Sequence, residues 1–456
     1  MKNALLIFAF LSFYLSSVHA SVEIRSNKLT TGDGLANNSI RYMFQDSKGF
    51  MWMGTVNGLS YYDGNSFVSI YPDPNLPISL ADPRIRNMEE DSNGFLWIAT
   101  LSSLYSCYDL KHGRFVDFTG CGEYKQSYSK KIIASDQSIW LWDNNNGCRR
   151  VVYQDGQFSS QAYKKELGNL SSDKVLFVYE SNDSPGHVWI GTKQGLWKYH
   201  DGKLEAMDTQ GESWEHIFSY DQYTCIITGK KEIYRHSLSN NRLEKIASLT
   251  ELGDTGVITG SLRLQHQWVM FTATGSYILD PVTGKLRRFS RLNIKNGNVT
   301  RDNKGNAWVH NYTGNVWYVN TSTGDIKHFQ FLSSEHLGYI DVERYSFIHD
   351  SRDIIWITTY GNGLFAYDLN TGDLQHFTFE VSHSSHINSN YLQYIIEDRS
   401  GGIWVSSEFS GLSHLEILNK GTLRIYPNGE DASDRSNTIR MLLRGKNGNV
   451  YMANRM

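Results

Sequence analysis

The sequence predicts an all-β protein: a seven-bladed β-propeller followed by an incomplete second β-propeller. Three observations predict it. One unit recurs along the chain: an Asp-x-x-Gly turn, an apolar run centred on an aromatic residue, a small residue or Thr, then Gly-Leu, a second apolar stretch and an Asp. Its central positions, Trp52, Trp97, Trp140, Trp189, Ile226, Trp268, Trp308, Trp356 and Trp404, are spaced by 37 to 49 residues, the period of a four-stranded propeller blade. Within the units, segments such as MWMGT, FVSIY and YILD are short, alternate with a period of two and are bounded by Gly, Asn or Asp. That pattern marks strands, whereas helical repeats of this length would show apolar residues at 3.6 spacing.

Taken in order, the first element is a leader. Lys2, the apolar run Ala4–Val18 and the sequence Val18-His19-Ala20 supply the charge, length and small-residue exit of a secretory signal peptide over residues 1–20, and the run is short for a membrane span of about 20 residues. Ile24–Thr30 reads as an extra strand able to close a ring by pairing into its last blade. The clearest copy of the unit follows, Asn38–Tyr71 (NSIRYMFQDSKGFMWMGTVNGLSYYDGNSFVSIY). In it Asp46 bonds the turn backbone and Gly49 takes the positive φ of a tight hairpin. Trp52 has the breadth to fill the wedge between neighbouring blades. The Gly before Leu59, Leu196, Leu364 and Leu412 marks a close approach of the next strand.

Copies at Trp97, Trp189, Trp308, Trp356 and Trp404 repeat this pattern clearly, and those at Trp140, Ile226 and Trp268 more weakly. Seven copies, ending at Trp308, predict a first propeller over residues 21–332. The stretch 331–342 (FLSSEHLGYIDV) then breaks the rhythm. The copies at Trp356, Trp404 and Tyr451 therefore predict the first three blades of a second, truncated propeller over 333–456, since three blades alone leave edges unpaired.

With 44 Lys+Arg against 47 Asp+Glu, the chain has no charge excess to draw it to nucleic acid or an anionic membrane. A single long apolar run excludes a multi-span membrane protein. Cys107, Cys121, Cys148 and Cys225 have neither CxxC spacing nor a nearby His pair, so no metal site is expected from them; in an exported chain one local disulfide plus buried thiols is the expectation.

The opening LTTGDGLANNSIRYMFQDSKGFMWMGTVNGLSYYDGNSF and its later echoes resemble the two-component-regulator propeller repeat. The resemblance runs from about residue 22 to the end. It implies the periplasmic sensor region of a hybrid two-component system. Such a region binds an oligosaccharide and controls polysaccharide-utilisation genes through a histidine kinase, which this chain lacks. It further implies a homodimer in the full-length receptor, attachment to the membrane only through a C-terminal span absent here, and no nucleic acid contacted by this segment.

No Gly-x-Ser-x-Gly elbow, HExxH helix or phosphate-binding glycine loop occurs in the sequence. No catalytic residue, cofactor or metal is therefore assigned. Asp143-Asn144-Asn145-Asn146-Gly147 lacks the spaced ligands and terminal Glu of a calcium loop and reads as a polar turn. His376, His383 and His386 read as solvated histidines.

The informative residues are those that break the repeat where inner strands open onto one rim. Before the first strand of a unit these are Arg41 (with Tyr42), Arg84 with Arg86, Trp214 with His216, and Arg344 with Tyr345. After the second strand they include Tyr360, Phe409, Asn144, Asn145, Asn311 and Tyr312. Aromatic faces stack on sugar CH groups and planar polar groups pair with hydroxyls, while Arg pairs also suit a carboxylate or sulfate. The expected ligand is an oligosaccharide, bound near the contact between the two predicted propellers. An exported propeller lyase or hydrolase is the alternative, and a protein–protein platform a third reading.

Overall fold

The computed structural model describes residues 22–119, 128–180, 185–208, 213–221, 224–229, 232–237, 242–254, 257–302, 304–311, 315–330, 345–379, 387–418, 439–444 and 450–454. The predicted signal peptide and Arg344 lie outside them. Among the described residues the chain is all-β, with nine four-stranded antiparallel sheets and only short 3-10 turns. No helix among them is long and apolar enough to cross a membrane.

The number of blades corrects the sequence expectation. Residues 24–416 form one compact unit in which nine blades make a single closed ring, not seven blades plus an incomplete second propeller. Blades 1 to 8 occupy 40–70, 85–116, 130–163, 175–208, 214–248, 260–288, 298–330 and 345–377, each with its strands in sequence order. Blade 9 is built from Leu392–Glu397, Ile403–Ser407 and Leu412–Leu418, and its fourth position is filled by the N-terminal strand Glu23–Leu29. Closure by that strand was legible in the sequence; the blade it completes was not.

Two interfaces show why the ring passes seven. At the expected seam, blades 7 and 8 share a core like any other pair. Trp308, Val316 and Tyr318 pack with Phe347, Ile355, Ile357 and Tyr367, Lys327 Nζ donates to the Tyr367 hydroxyl at 2.8 Å, and Lys304 pairs with Asp353 at 2.5 Å. At the closure, Trp404 and Leu412 of blade 9 pack with Ile40, Met43, Met51 and Met53 of blade 1. There the Arg399 N–H donates to Gln45 Oε1, and its guanidinium to the Ser47 and Asp46 carbonyls. The tenth copy forms a two-stranded hairpin, Ile439–Arg444 with Val450–Asn454, in the other compact unit (1–23 and 417–456).

The repeat residues do the packing assigned to them. Trp52, Trp97, Trp140, Trp189, Trp308 and Trp356 are all fully buried between blades. In blades 1, 2, 8 and 9 the turn Asp accepts two backbone N–H groups and the indole N–H six residues on: Asp46–Trp52 at 2.8 Å, Asp91–Trp97 at 2.8 Å, Asp350–Trp356 at 2.9 Å and Asp398–Trp404 at 2.7 Å.

A second link crosses between blades. The backbone N–H and hydroxyl of Ser47, Ser135 and Ser351 donate to the carboxylates of Glu90, Glu180 and Glu397 on the next blade. Gly411, before Leu412, has φ 78°, and a Cβ there would lie 2.3 Å from the Leu29 carbonyl of the closing strand. Asp143 accepts N–H groups from Asn145 and Asn146, as a polar turn does. Cys107, Cys148 and Cys225 are buried thiols, against the expected local disulfide; Cys121 lies outside the described residues.

Candidate ligand-binding rim

The innermost strand of a blade runs along the channel, and in five blades its pairing is interrupted near its start. The partner sequence skips one residue at Arg41 in blade 1, Arg86 in blade 2, Leu176 in blade 4 and Glu215 in blade 5, and between Leu392 and Ile395 in blade 9. Each skip is a β-bulge. The extra residue leaves the ladder and its side chain is re-aimed, a device found at rims and next to binding sites. The motif Ile-Arg-Tyr in blade 1 thus places Ile40 in the core, fully buried, and turns Arg41 to the rim.

Around blades 8, 9 and 1 these residues meet. Arg41 donates to Glu408 Oε1 at 2.8 Å and to Gln393 Oε1 at 3.3 Å, and Gln393 Nε2 donates to Glu408 Oε2. Glu408 is buried; burial raises its pKa, opposed by the Arg41 charge and the Gln393 hydrogen bond. The Glu408 N–H donates to the Tyr391 carbonyl at 3.0 Å. Tyr391 forms an isolated β-bridge with Tyr360 of blade 8, their rings 5.3 Å apart edge to face. Beside this run Tyr42 and Tyr394 lie 4.7 Å apart, both hydroxyls held protonated chiefly by burial. Lys131 of blade 3 pairs with Glu89 of blade 2; burial lowers the Lys131 pKa, with Glu89 opposing.

The predicted residues fall in different places. Arg41 and Tyr360, 319 positions apart, are brought onto one strip. Arg84 is exposed and held by Asp82 through Nε and Nη2 at 3.0 and 2.8 Å; that contact, ahead of the opposing burial, lowers Asp82 to about 2. Arg86 is exposed on its bulge. Trp214 is 1% exposed, packed with Phe177, Trp189 and Ile217, so its faces belong to the core. His216, across the same bulge, points into a cavity of about 10 Å³ also lined by Thr228, room for one water. Tyr345 begins the first strand of blade 8, in regular pairing with Thr359. His376 stacks on Phe365 at 4.1 Å; His383 and His386 lie outside the described residues, as does Tyr312. No cluster of three or more His, Cys, Asp or Glu side chains suited to a metal ion occurs among the described residues.

Residues 34–57 and 79–102 match the family model described as "Two component regulator propeller". These two segments are two-component regulator propeller repeats. They cover the inner two strands of blades 1 and 2 and carry the bulges at Arg41 and Arg86.

Among solved structures, the chain is similar to the Dos1 propeller (10% identity, 87% of this chain and 95% of that chain, TM-score 0.50). It is also similar to two extracellular domains from B. thetaiotaomicron, ascribed to the hybrid two component systems BT4673 and BT3049. The first shows 16% identity over 94% of this chain and 64% of that chain, TM-score 0.40. The second shows 18% identity over 94% and 70%, TM-score 0.31. No curated protein sequence matches the chain.

Sequence reasoning missed Gln393, Tyr391 and Glu408. Tyr391 and Gln393 flank Leu392, the first residue of an inner strand, where Ser39 and Arg41 flank Ile40 in the first regulator-propeller repeat. Glu408 follows an inner pair of strands as Val56 and Leu101 do; among the nine copies it is the one carboxylate four residues after the central position, which was the available signal.

Proposed function

We propose that this chain is the ligand-sensing region of an exported two-component receptor and that it senses an oligosaccharide. It would regulate polysaccharide-utilisation genes through a kinase carried elsewhere, in a receptor that works as a membrane-anchored homodimer. The observation that carries the reading is that the bulges of the regulator-propeller repeats set Arg41 at the rim, where Gln393, Glu408, Tyr391 and Tyr360 converge. Flat aromatic rings beside planar polar groups match a sugar's CH faces and hydroxyls. The leader at residues 1–20 supports export.

The ligand would sit on the rim of one ring. The test is thermal-shift screening of the purified chain against plant, host and microbial oligosaccharides, with product analysis on each hit. A saturable rise in midpoint, lost in Q393A and with the glycan recovered intact, is expected. Cleaved product would transfer the chain to the lyase or hydrolase class, and no shift across the panel with a folded protein would remove glycan sensing.

A further inference from the structure

We infer that the rim across blades 8, 9 and 1 takes neutral sugars in preference to acidic ones, with Phe409 as the face on which a sugar ring stacks. This deepens the proposed function and rests on it. The first line of argument is charge. An acidic glycan needs cations it can recruit, and among the described residues Arg41, the cation of this strip, is committed, as are Arg84 and Lys131 farther round the ring. Arg41 is held by Glu408 at 2.8 Å, Arg84 by Asp82 at 2.8 Å, and Lys131 by Glu89. A uronate or sulfate arriving at Arg41 would displace the buried Glu408 carboxylate and leave it unpaired beside the new anion, so one charge pair is exchanged for another with a like charge added. Arg86 on blade 2, Lys130 on blade 3 and Lys193 after the second strand of blade 4 hold no ion pair among the described residues, and all three lie away from blades 8, 9 and 1.

The second line is the apolar surface. Phe409 is 70% exposed, the most exposed large hydrophobic side chain among the described residues. It sits at the tip of the turn after Ile403–Ser407, next to Glu408, whose N–H is fixed to the Tyr391 carbonyl. Tyr391 is itself 37% exposed and braced edge-on by Tyr360. An aromatic ring at a loop tip gains nothing from the core, and this one directly follows Glu408, which pairs with Arg41 and Gln393. A flat face flanked by paired, net-neutral polar groups suits a neutral hexose or pentose ring.

The test is isothermal titration of the purified chain with cellohexaose, xylohexaose and mannohexaose, and with tetragalacturonic acid and a heparin hexasaccharide. Each runs at about 0.05 M and about 0.5 M salt, either side of the range where exposed charges are screened. The expected result is binding of a neutral glycan, changed less than about twofold by salt, weakened about tenfold in F409A and restored in F409W. The side chain is exposed, so these variants keep the fold. Binding of an acidic glycan that falls steeply with salt overturns this inference and leaves glycan sensing standing. Neutral binding untouched by F409A overturns the location. Silence from all five probes removes both.

Discussion

Removing the carboxylate of Asp91 tests the account of what holds a blade. Asp91 is 5% exposed and accepts from the Asn93 N–H at 2.9 Å, the Phe95 N–H at 3.0 Å and Trp97 Nε1 at 2.8 Å. In D91A the Phe95 N–H and the Trp97 indole are left unpaired in the core, at about 1–3 kcal/mol each, while the Asn93 N–H, nearer solvent, costs about 0.5. Against this, burial raises the Asp91 pKa despite the three donors, so removing the charge relieves part of the cost. The lost bonds sum to about 2.5–6.5 kcal/mol, so even with that relief the net loss should be about 2 kcal/mol or more. D91N keeps both backbone acceptor contacts through its amide oxygen but turns an N–H at the indole N–H, and should lose about 1–2 kcal/mol.

The protein contains the comparison variant. Blade 3, one of the weaker copies, has Ala134 where the strong copies have Asp, with the same turn: the Ala134 N–H donates to the Ser138 carbonyl and the Gln137 N–H to the Ala134 carbonyl, both at 2.9 Å. Its Trp140 indole N–H has no hydrogen-bond partner. A134D supplies the missing acceptor and should stabilise by about 1 kcal/mol. Urea unfolding followed by tryptophan fluorescence and by circular dichroism gives the ranking A134D, wild type, D91N, D91A from most to least stable. D91A within about 0.5 kcal/mol of wild type, or A134D below it, would refute the reasoning that the Asp–indole bond is an anchor and not an incidental contact.

Further expectations follow from the closure, the rim and one half-buried histidine. G411A forces an αL backbone on Ala and drives its Cβ onto the Leu29 carbonyl; it should cost about 2 kcal/mol or more and raise amide exchange over residues 24–29 ahead of the other strands. A cycle of R41A, E408Q and the double variant should return a coupling of about 1 kcal/mol, since Arg41 is part-exposed and Glu408 is not; additivity within error would mean that the pair does not act together. Burial lowers His310 to about 4. Its folded pKa lies below the unfolded value, so the unfolded chain binds the extra proton and stability is full above about pH 6.5, falling towards pH 4 by about 3 kcal/mol. H310Q should flatten that slope in melts taken across the window.

What the sequence made legible was local. The Asp-turn, the wedge Trp and the Gly-Leu approach are each contained within one blade, so Trp52 or Gly411 could be assigned a task from its neighbours alone. The number of blades is set by how successive sheets pack and by which sheet lacks its fourth strand. Those contacts, such as Trp308 on Phe347 and Arg399 on Asp46 and Ser47, join residues tens to hundreds of positions apart. The break at 331–342 was read as the end of a ring because a rhythm in sequence carries no record of such packing. The rim divided the same way. Arg41 and Arg86 stood out because a bulge adds a residue to a counted motif, whereas Trp214 sits one residue before its bulge and falls in the core. Gln393 and Glu408 became meaningful only once blade 9 was set against blade 1.

The uneven strength of the copies has a dynamic consequence. The indole N–H is anchored to a turn Asp in blades 1, 2, 8 and 9, which flank the closure and carry the rim strip. The indole N–H groups of Trp140, Trp268 and Trp308, in blades 3, 6 and 7, have no hydrogen-bond partner, and blade 5 carries Ile226 at that position. Local opening is cheapest where buried polar groups are least satisfied. Native-state hydrogen exchange should therefore protect Met51–Thr55, Phe95–Thr100 and Ile403–Ser407 more than Gln267–Phe271 and Ala307–His310, although all five are interior strands of similar burial. A ring stiff around the binding quarter and softer opposite it would hold its ligand groups in place while the far blades yield. Uniform protection around the ring would show that blade packing alone, and not the Asp–Trp bond, sets local stability.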